Sequence, residues 1–226
     1  MKQKREEILK RIQSACTNCG RNVNEIQLLA VSKKQTVEKI VQMFELGQKA
    51  FAENYVQEFL QKKEEINKNI EWHMIGPLQS NKVSKIVGEV ELIHSVDDVK
   101  LAKIISEKAK EKGITQKILL QINASGEKSK SGVFLKDSEK FIEEVLKISS
   151  IKVLGLMTMP PFTDSAEDSR EHFKKIRKIR DDFKESGLIE LSMGTTQDFE
   201  VAIEEGATII RVGEALFGAR DGSKVD

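Results

Sequence analysis

Residues 28–52, LLAVSKKQTVEKIVQMFELGQKAFA, run from a short apolar stretch through a helix-spaced one to a second short apolar stretch. Such a succession is the mark of a strand–helix–strand unit in a parallel sheet. The pattern then repeats along the chain. Strands are predicted at Gln27–Ser32, Lys49–Ala52, Glu71–Ile75, Leu92–Ser95, Lys117–Ile122, Val153–Met157, Ile189–Ser192 and Thr208–Val212, about eight, the number that closes a parallel α/β barrel. Helices are predicted between them at Val37–Leu46, Val56–Ile66, Ser80–Val87, Val99–Glu111, Lys136–Ile148, Ala166–Lys184 and Asp198–Glu205, each with apolar residues at helical spacing.

A doubly wound open sheet would alternate in the same way. Two observations favour the barrel: the 226-residue chain approaches the ~250 residues typical of it, and no G-x-G-x-x-G follows the first strand. The expectation is an α/β fold, a (β/α)8 TIM-type barrel forming a single domain over residues 1–226, with an extra N-terminal helix in about the first twenty. That helix, Lys2 to about Ala15, is expected to cover the bottom of the barrel. Two polar loops, Asn123–Phe134 and Thr158–Ser169, follow strands and therefore belong to the face on which barrels build their sites; both are expected to be mobile.

With 37 basic against 36 acidic side chains, the chain lacks an electrostatic footprint for nucleic acid. The opening MKQKREEILKRIQ is charged where a signal peptide is apolar, and no apolar run approaches the ~18 residues of a membrane span, so a cytoplasmic protein without membrane contact is expected. Cys16 and Cys19 form C-x-x-C, but a zinc site needs two more ligands and His73, His94 and His172 lack ligand spacing. No metal is expected, and the cysteines read as small residues at the end of the first helix, closed by Gly20.

Residues with chemistry collect after strand ends: Ser32-Lys33 after the first, Glu53-Asn54-Tyr55 after the second, Gly76-Pro77 after the third, Ser192–Thr196 after the seventh and Gly213-Glu214 after the eighth. The segments SMGTTQDFEVAI and RVGEALFG each run from a strand through a glycine into a helix, where backbone N–H groups and threonine hydroxyls can converge on an anion. Either could be ordinary capping, with Thr196 as N-cap. Together, in the two loops where such barrels hold phosphate, they predict a phosphate site. A lysine at the tip of the first strand and a phosphate on the last two loops suit a Schiff base with a phosphorylated aldehyde, pyridoxal phosphate. By the period of two, Leu29, Val31 and Lys33 share one face and Lys34 the other, so only one of the two lysines points inward. Arg211, set among apolar residues in IIRVG, needs a buried partner, either a pyridine nitrogen or a nearby carboxylate.

At these residues the sequence resembles the pyridoxal phosphate homeostasis (YggS/PROSC) proteins, related to the N-terminal barrel of alanine racemase. LLAVSK, FAENYVQE, EWHMIGPLQSNK, GLMTMPPF, SMGTTQDFEVAIEEGAT and RVGEALFGAR carry the resemblance over residues 28–220. It implies a monomer or weak dimer that binds pyridoxal 5'-phosphate through Lys33, with Arg211 toward the pyridine nitrogen. It further places Ser192, Gly194, Thr196 and Gly213 around the phosphate, and Asn54 and Met74–Gly76 along the ring. Two departures stand out: Thr195-Thr196 where relatives have Met-Ser, and Glu214 where many have Ser or Thr, its side chain expected to turn away from the phosphate.

The implied function is to hold the cofactor and take part in its homeostasis, with transient contact to apo-enzymes and little or no catalysis. A low-activity racemase is the enzyme alternative, and a lysine-dependent aldolase a weaker one. Racemisation needs a second base opposite the lysine. In racemases that is a tyrosine from another domain or subunit, whereas here the sequence runs out just after the eighth strand and its single tyrosine, Tyr55, opens the second helix. His73 and His94 are candidate bases, although strand histidines are commonly core residues with satisfied hydrogen bonds.

Overall fold

In the computed structural model, which describes residues 1–127, 130–161 and 165–218, the strands are β1 Gln27–Val31, β2 Ala50–Glu53, β3 Glu71–Met74, β4 Leu92–Val96, β5 Gln116–Asn123, β6 Val133–Phe134, β7 Ile151–Met157, β8 Glu190–Ser192 and β9 Ile209–Val212. Neighbours pair in the order β4-β3-β2-β1-β9-β8-β7-β5, and β4 also pairs with β5, which closes eight parallel strands into a barrel. The two-residue β6 adds to the tip of β5 and was not expected, being too short to leave an alternation in the sequence. Lys128-Ser129 and Phe162–Asp164 of the two polar loops, and Ala219-Arg220 of the last motif, lie outside the described residues.

The helices are α1 Lys2–Cys19, α2 Val37–Glu45, α3 Val56–Glu65, α4 Val99–Glu111, α5 Ser138–Leu146, α6 Arg170–Asp182, α7 Phe199–Glu204 and α8 Glu214–Phe217. Ser80–Lys85 is a 3-10 helix rather than the predicted α-helix; its bonds run from Ile86 N–H to the Val83 carbonyl, and Gly88 at φ 78° follows. Among the described residues no helix is long and apolar enough to cross a membrane, and no group of three or more His, Cys, Asp or Glu could hold a metal ion.

Alternation along the strands separates two apolar layers. Leu29, Ala50, Ala52, Leu92, Leu119, Met157 and Ile209 fill the barrel, joined by Val31 and Ile75, while Leu28, Ala30, Phe51 and Met74 belong to the larger layer beneath the helices. Polar pairs ring the floor at the strand beginnings: Gln27 donates to Glu71 at 2.9 Å, Lys117 pairs with Glu91, and Thr208 donates to Glu190.

That polar floor explains why α1 does not cover it. Ile8, Ile12, Ala15 and Cys16 form an apolar stripe, and such a stripe gains only from apolar partners. α1 instead lies on the side wall against α7 and α8. Arg11 stacks 4.5 Å over the Phe199 ring and pairs with Glu200 at 2.5 Å, while Arg21 donates to the carbonyls of Ile203 at 2.8 Å and Ala207 at 2.7 Å. The helix runs past Ala15 to Cys19, with Gly20 at φ 71° as its cap; both cysteines are free thiols, and burial raises the Cys16 pKa.

Candidate functional site

Parallel register decides which side chains meet at the C-terminal mouth of the barrel. β1 pairs Val31 with Ala52 of β2, so the next pair on the same inward face is Lys33 with Asn54. β1 also pairs Leu29 with Arg211 of β9, which carries Gly213 up beside Val31. Lys33 is half-buried, whereas Lys34 is exposed and holds a left-handed φ of 59°, uncommon for a residue with a side chain. The Asn54 Oδ1 is buried without a hydrogen-bond partner. A Cβ at Gly76 would lie 2.2 Å from the Asn54 carbonyl oxygen, so only glycine lets the loop after β3 rest on Asn54.

Arg211 is 4% exposed and lies on β9, which flanks β1 on the side opposite β2. Its Nη1 donates to both the carbonyl and the hydroxyl of Ser192 at 2.7 Å, and its Nη2 donates to the Thr158 carbonyl at 2.9 Å. Among the described residues no carboxylate forms an ion pair with it, so the expected salt-bridge alternative is not what the fold provides. Burial pushes its pKa down to about 10, with only the more distant Asp198 charge opposing.

Below Arg211 a buried polar chain descends the barrel. His94 Nδ1 lies 2.9 Å from the Ser192 hydroxyl, His94 Nε2 lies 2.9 Å from His73 Nδ1, and His73 Nε2 lies 3.4 Å from Glu71 Oε1. With both rings neutral the chain closes when Ser192 donates to His94, His94 to His73, and His73 to Glu71. Burial holds His94 well below the usual histidine range, and the neighbouring His73 and Arg211 charges push the same way. The two histidines are thus bonded core residues, and the Ser192 hydroxyl is engaged with them and with Arg211.

The segment after β8 is built around Gly194, at φ 89°, whose added Cβ would fall 2.6 Å from the Ala202 Cβ and 2.9 Å from the Phe199 Cα. Its carbonyl accepts the Arg211 N–H at 3.0 Å, tying this loop to β9. The N-cap of α7 is Asp198 rather than Thr196; its carboxylate reaches back to accept from the Thr195 N–H at 2.7 Å and the Thr195 hydroxyl at 3.0 Å. Thr196 stays half-buried, its carbonyl taking a bond from Arg11 at 3.5 Å. A cavity of about 480 Å³ opens beside these threonines, lined also by Lys130, Met159 and Pro160. Glu214 is exposed.

The structure therefore gathers Lys33, Asn54, Gly194, Thr196, Arg211 and Gly213 at one mouth. It does not bring Met74 there: that side chain is fully buried in the outer layer, and Ile75 takes the inward position. Glu53 also turns outward, to Lys62, so this strand-end carboxylate faces the helices and not the mouth. Lys62 was missed. Its signal was present in the sequence, since Val56, Phe59, Lys62 and Ile66 share the buried stripe of α3.

The buried groups give the pH dependence of stability a definite sign. His94, depressed in the fold, contributes stability present above the unfolded value near pH 6.5 and lost below it, at up to about 1.4 kcal/mol per pH unit. Glu53, pushed up to about 7 by burial against the pull of Lys62, works oppositely, its stabilisation being lost as pH rises through that value. The two offset between about pH 5 and 6.5. Urea midpoints of the wild type should be nearly flat over that window, while His94→Gln should grow more stable as the pH falls from 7 to 5. A variant that instead weakens on acidification would contradict the assignment.

The chain matches the family described as alanine racemase, N-terminal domain, over residues 8–221. It is 45% identical over 217 residues to the pyridoxal phosphate homeostasis protein of Aquifex aeolicus, covering 94% of this chain and 95% of that one. A solved structure of a protein from Bifidobacterium adolescentis superposes with a TM-score of 0.91 at 34% identity, covering 96% of this chain and 94% of the other. PipY of Synechococcus elongatus, solved with PLP bound, superposes with a TM-score of 0.82 at 32% identity, covering 93% of this chain and all of that one.

Proposed function

We propose, because this chain belongs to the alanine racemase N-terminal domain family and within it to the pyridoxal phosphate homeostasis proteins, that it holds pyridoxal 5'-phosphate at the barrel mouth through Lys33 and serves the homeostasis of that cofactor. The observation that carries the reading is Arg211, a guanidinium buried with carbonyls, a hydroxyl and no ion-pairing carboxylate among the described residues, on the strand beside the one that delivers Lys33. A buried cation so placed calls for an acceptor that is not an acid, and a pyridine nitrogen is one. The unpartnered Asn54 Oδ1 on the same face fits a polar ring substituent.

Pyridoxal phosphate supplies an aldehyde that condenses with amines and a ring that withdraws electrons from what is attached to it. Lys33 provides the amine. Arg211 donates toward the ring nitrogen and keeps it unprotonated, because a proton there would meet a fixed positive charge. Gly194, Thr196 and Gly213 hold the phosphate with loop N–H groups and the threonine hydroxyl, and Ser192 braces Arg211. His73 and His94 are bonded within the core and Tyr55 is exposed at the start of α3, so none of the three is set as a second base. This arrangement suits holding better than turnover.

The test is the absorbance spectrum of the purified protein mixed with pyridoxal 5'-phosphate, followed by borohydride reduction and peptide mapping. The reduced pyridoxyl group is expected on Lys33; its appearance on Lys34 alone would overturn the register. Alanine should be racemised far more slowly than the 1 to about 10³ per second of ordinary enzymes, and turnover in that range would make the protein a racemase.

A further inference from the structure

Outside the barrel, behind the tips of β1 and β2, lies a cluster of charged groups that the mouth does not use. Ser32 faces outward there, like Leu28 and Ala30 below it. Its hydroxyl donates to Glu53 Oε1 at 2.6 Å. Lys62, 5% exposed, reaches in from α3 and donates to the Ser32 carbonyl, to Glu53 Oε1 and to Glu58 Oε1, each at 2.7 Å. An ammonium has three N–H donors, so all are engaged. Glu58 Oε1 in turn accepts the backbone N–H of Lys34.

Those contacts bracket one residue. The Ser32 carbonyl belongs to the peptide bond that precedes Lys33, and the Lys34 N–H to the one that follows it. Both are tethered to the same ammonium, one directly and one through Glu58, and Lys34 is held at its left-handed φ of 59°. Stability alone does not explain the arrangement. A buried ion pair roughly repays its desolvation at best, and here Glu53 Oε2 is buried with no partner at all. What the cluster provides, and apolar residues of equal volume would not, is a set of directed bonds to the backbone on either side of Lys33.

We propose that Lys62, with Glu53 and Glu58, is a positioning residue for Lys33, fixing from outside the barrel the direction in which that lysine enters the mouth. The inference rests on the reading that Lys33 is the point of attachment. Lys62 does not touch the cofactor's place; it acts through the main chain.

A double-mutant cycle tests it, with pyridoxal 5'-phosphate as the probe. Attachment is read by borohydride trapping and the absorbance of the linkage, and non-covalent binding by equilibrium titration in a Lys33→Ala background. Lys62→Met should lower the equilibrium constant for attachment about tenfold or more, the scale of losing hydrogen bonds to a charged group, and shift the pH at which the linkage titrates. In the Lys33→Ala background the same change should leave phosphate-dependent binding within about twofold. Lys62→Arg should restore part of the attachment. Equal losses in both backgrounds, or no loss in either, would overturn the proposal. Should Lys62→Met fail to fold, Glu58→Ala decides: it frees the Lys34 amide and one Lys62 donor from a partly exposed partner and leaves the Lys62 bonds to Ser32 and Glu53 in place, and attachment is expected to fall while Lys33→Ala binding does not. Wild-type protein that traps nothing on Lys33 would strike at the functional reading itself, which these outcomes keep apart from the clamp.

Discussion

Lys33→Ala is expected to lose covalent attachment of pyridoxal 5'-phosphate entirely, with no borohydride-fixed pyridoxyl peptide and no absorbance from a protein–cofactor linkage. Binding should persist at reduced strength, because the proposed site holds the phosphate and the pyridine nitrogen by other segments, the loops at Gly194 and Gly213 and the side chain of Arg211. The division follows from the fold: Lys33 sits at the tip of β1, whereas the residues proposed for the phosphate and the ring nitrogen belong to β9 and the loops after β8 and β9. Equilibrium dialysis with radiolabelled cofactor separates the two contributions. Complete loss of phosphate-dependent binding in this variant would show that the lysine organises the whole mouth.

Arg211→Met is expected to weaken cofactor binding by roughly 10- to 100-fold, corresponding to the ~1.5–3 kcal/mol of a hydrogen bond from a charged donor. The cofactor-free protein should respond differently. Burial pushes the Arg211 pKa down to about 10, so its charge carries a desolvation cost that methionine, of similar volume, avoids, while the loss of its three bonds to Ser192 and Thr158 works the other way. Thermal unfolding of the cofactor-free variant is therefore expected close to the wild-type midpoint, with affinity lost. A variant that melts well below wild type and binds normally would make Arg211 a structural residue.

Much of this was legible in the sequence wherever a period could be read. The eight barrel strands alternate or run apolar over short stretches, the same period of two separates Lys33 from Lys34, and the apolar neighbours of Arg211 mark it as an arginine in the barrel wall. The misreadings fall where that period was not applied or another geometry took over. The resemblance offers Met74–Gly76 as one lining segment, although alternation from His73 gives the inward place to Ile75 and sends Met74 to the helices. Thr196 looked like a cap because threonine often is one, but Asp198 stands nearer the helix and its carboxylate can fold back on Thr195. Lys62 went unread because a lysine four residues after Glu58 is ordinary on a helix surface, and only the apolar residues around it on α3 mark it as buried. The His94–Ser192 contact joins residues 98 positions apart and leaves no local trace.

The seam between α1 and the last helices bears on how the chain is made. The apolar stripe of α1 leaves the ribosome well before its partners in α7 and α8, which follow roughly 180 residues later, a wait on the order of 10–40 s at ordinary synthesis rates. β1 waits equally long for β9, which supplies one of its two neighbours. Until then Lys33 has been translated but Gly194, Arg211 and Gly213 have not. On the proposed reading a nascent chain thus presents an amine with nowhere to seat a phosphate, and capture of the cofactor waits on the closing of the ring.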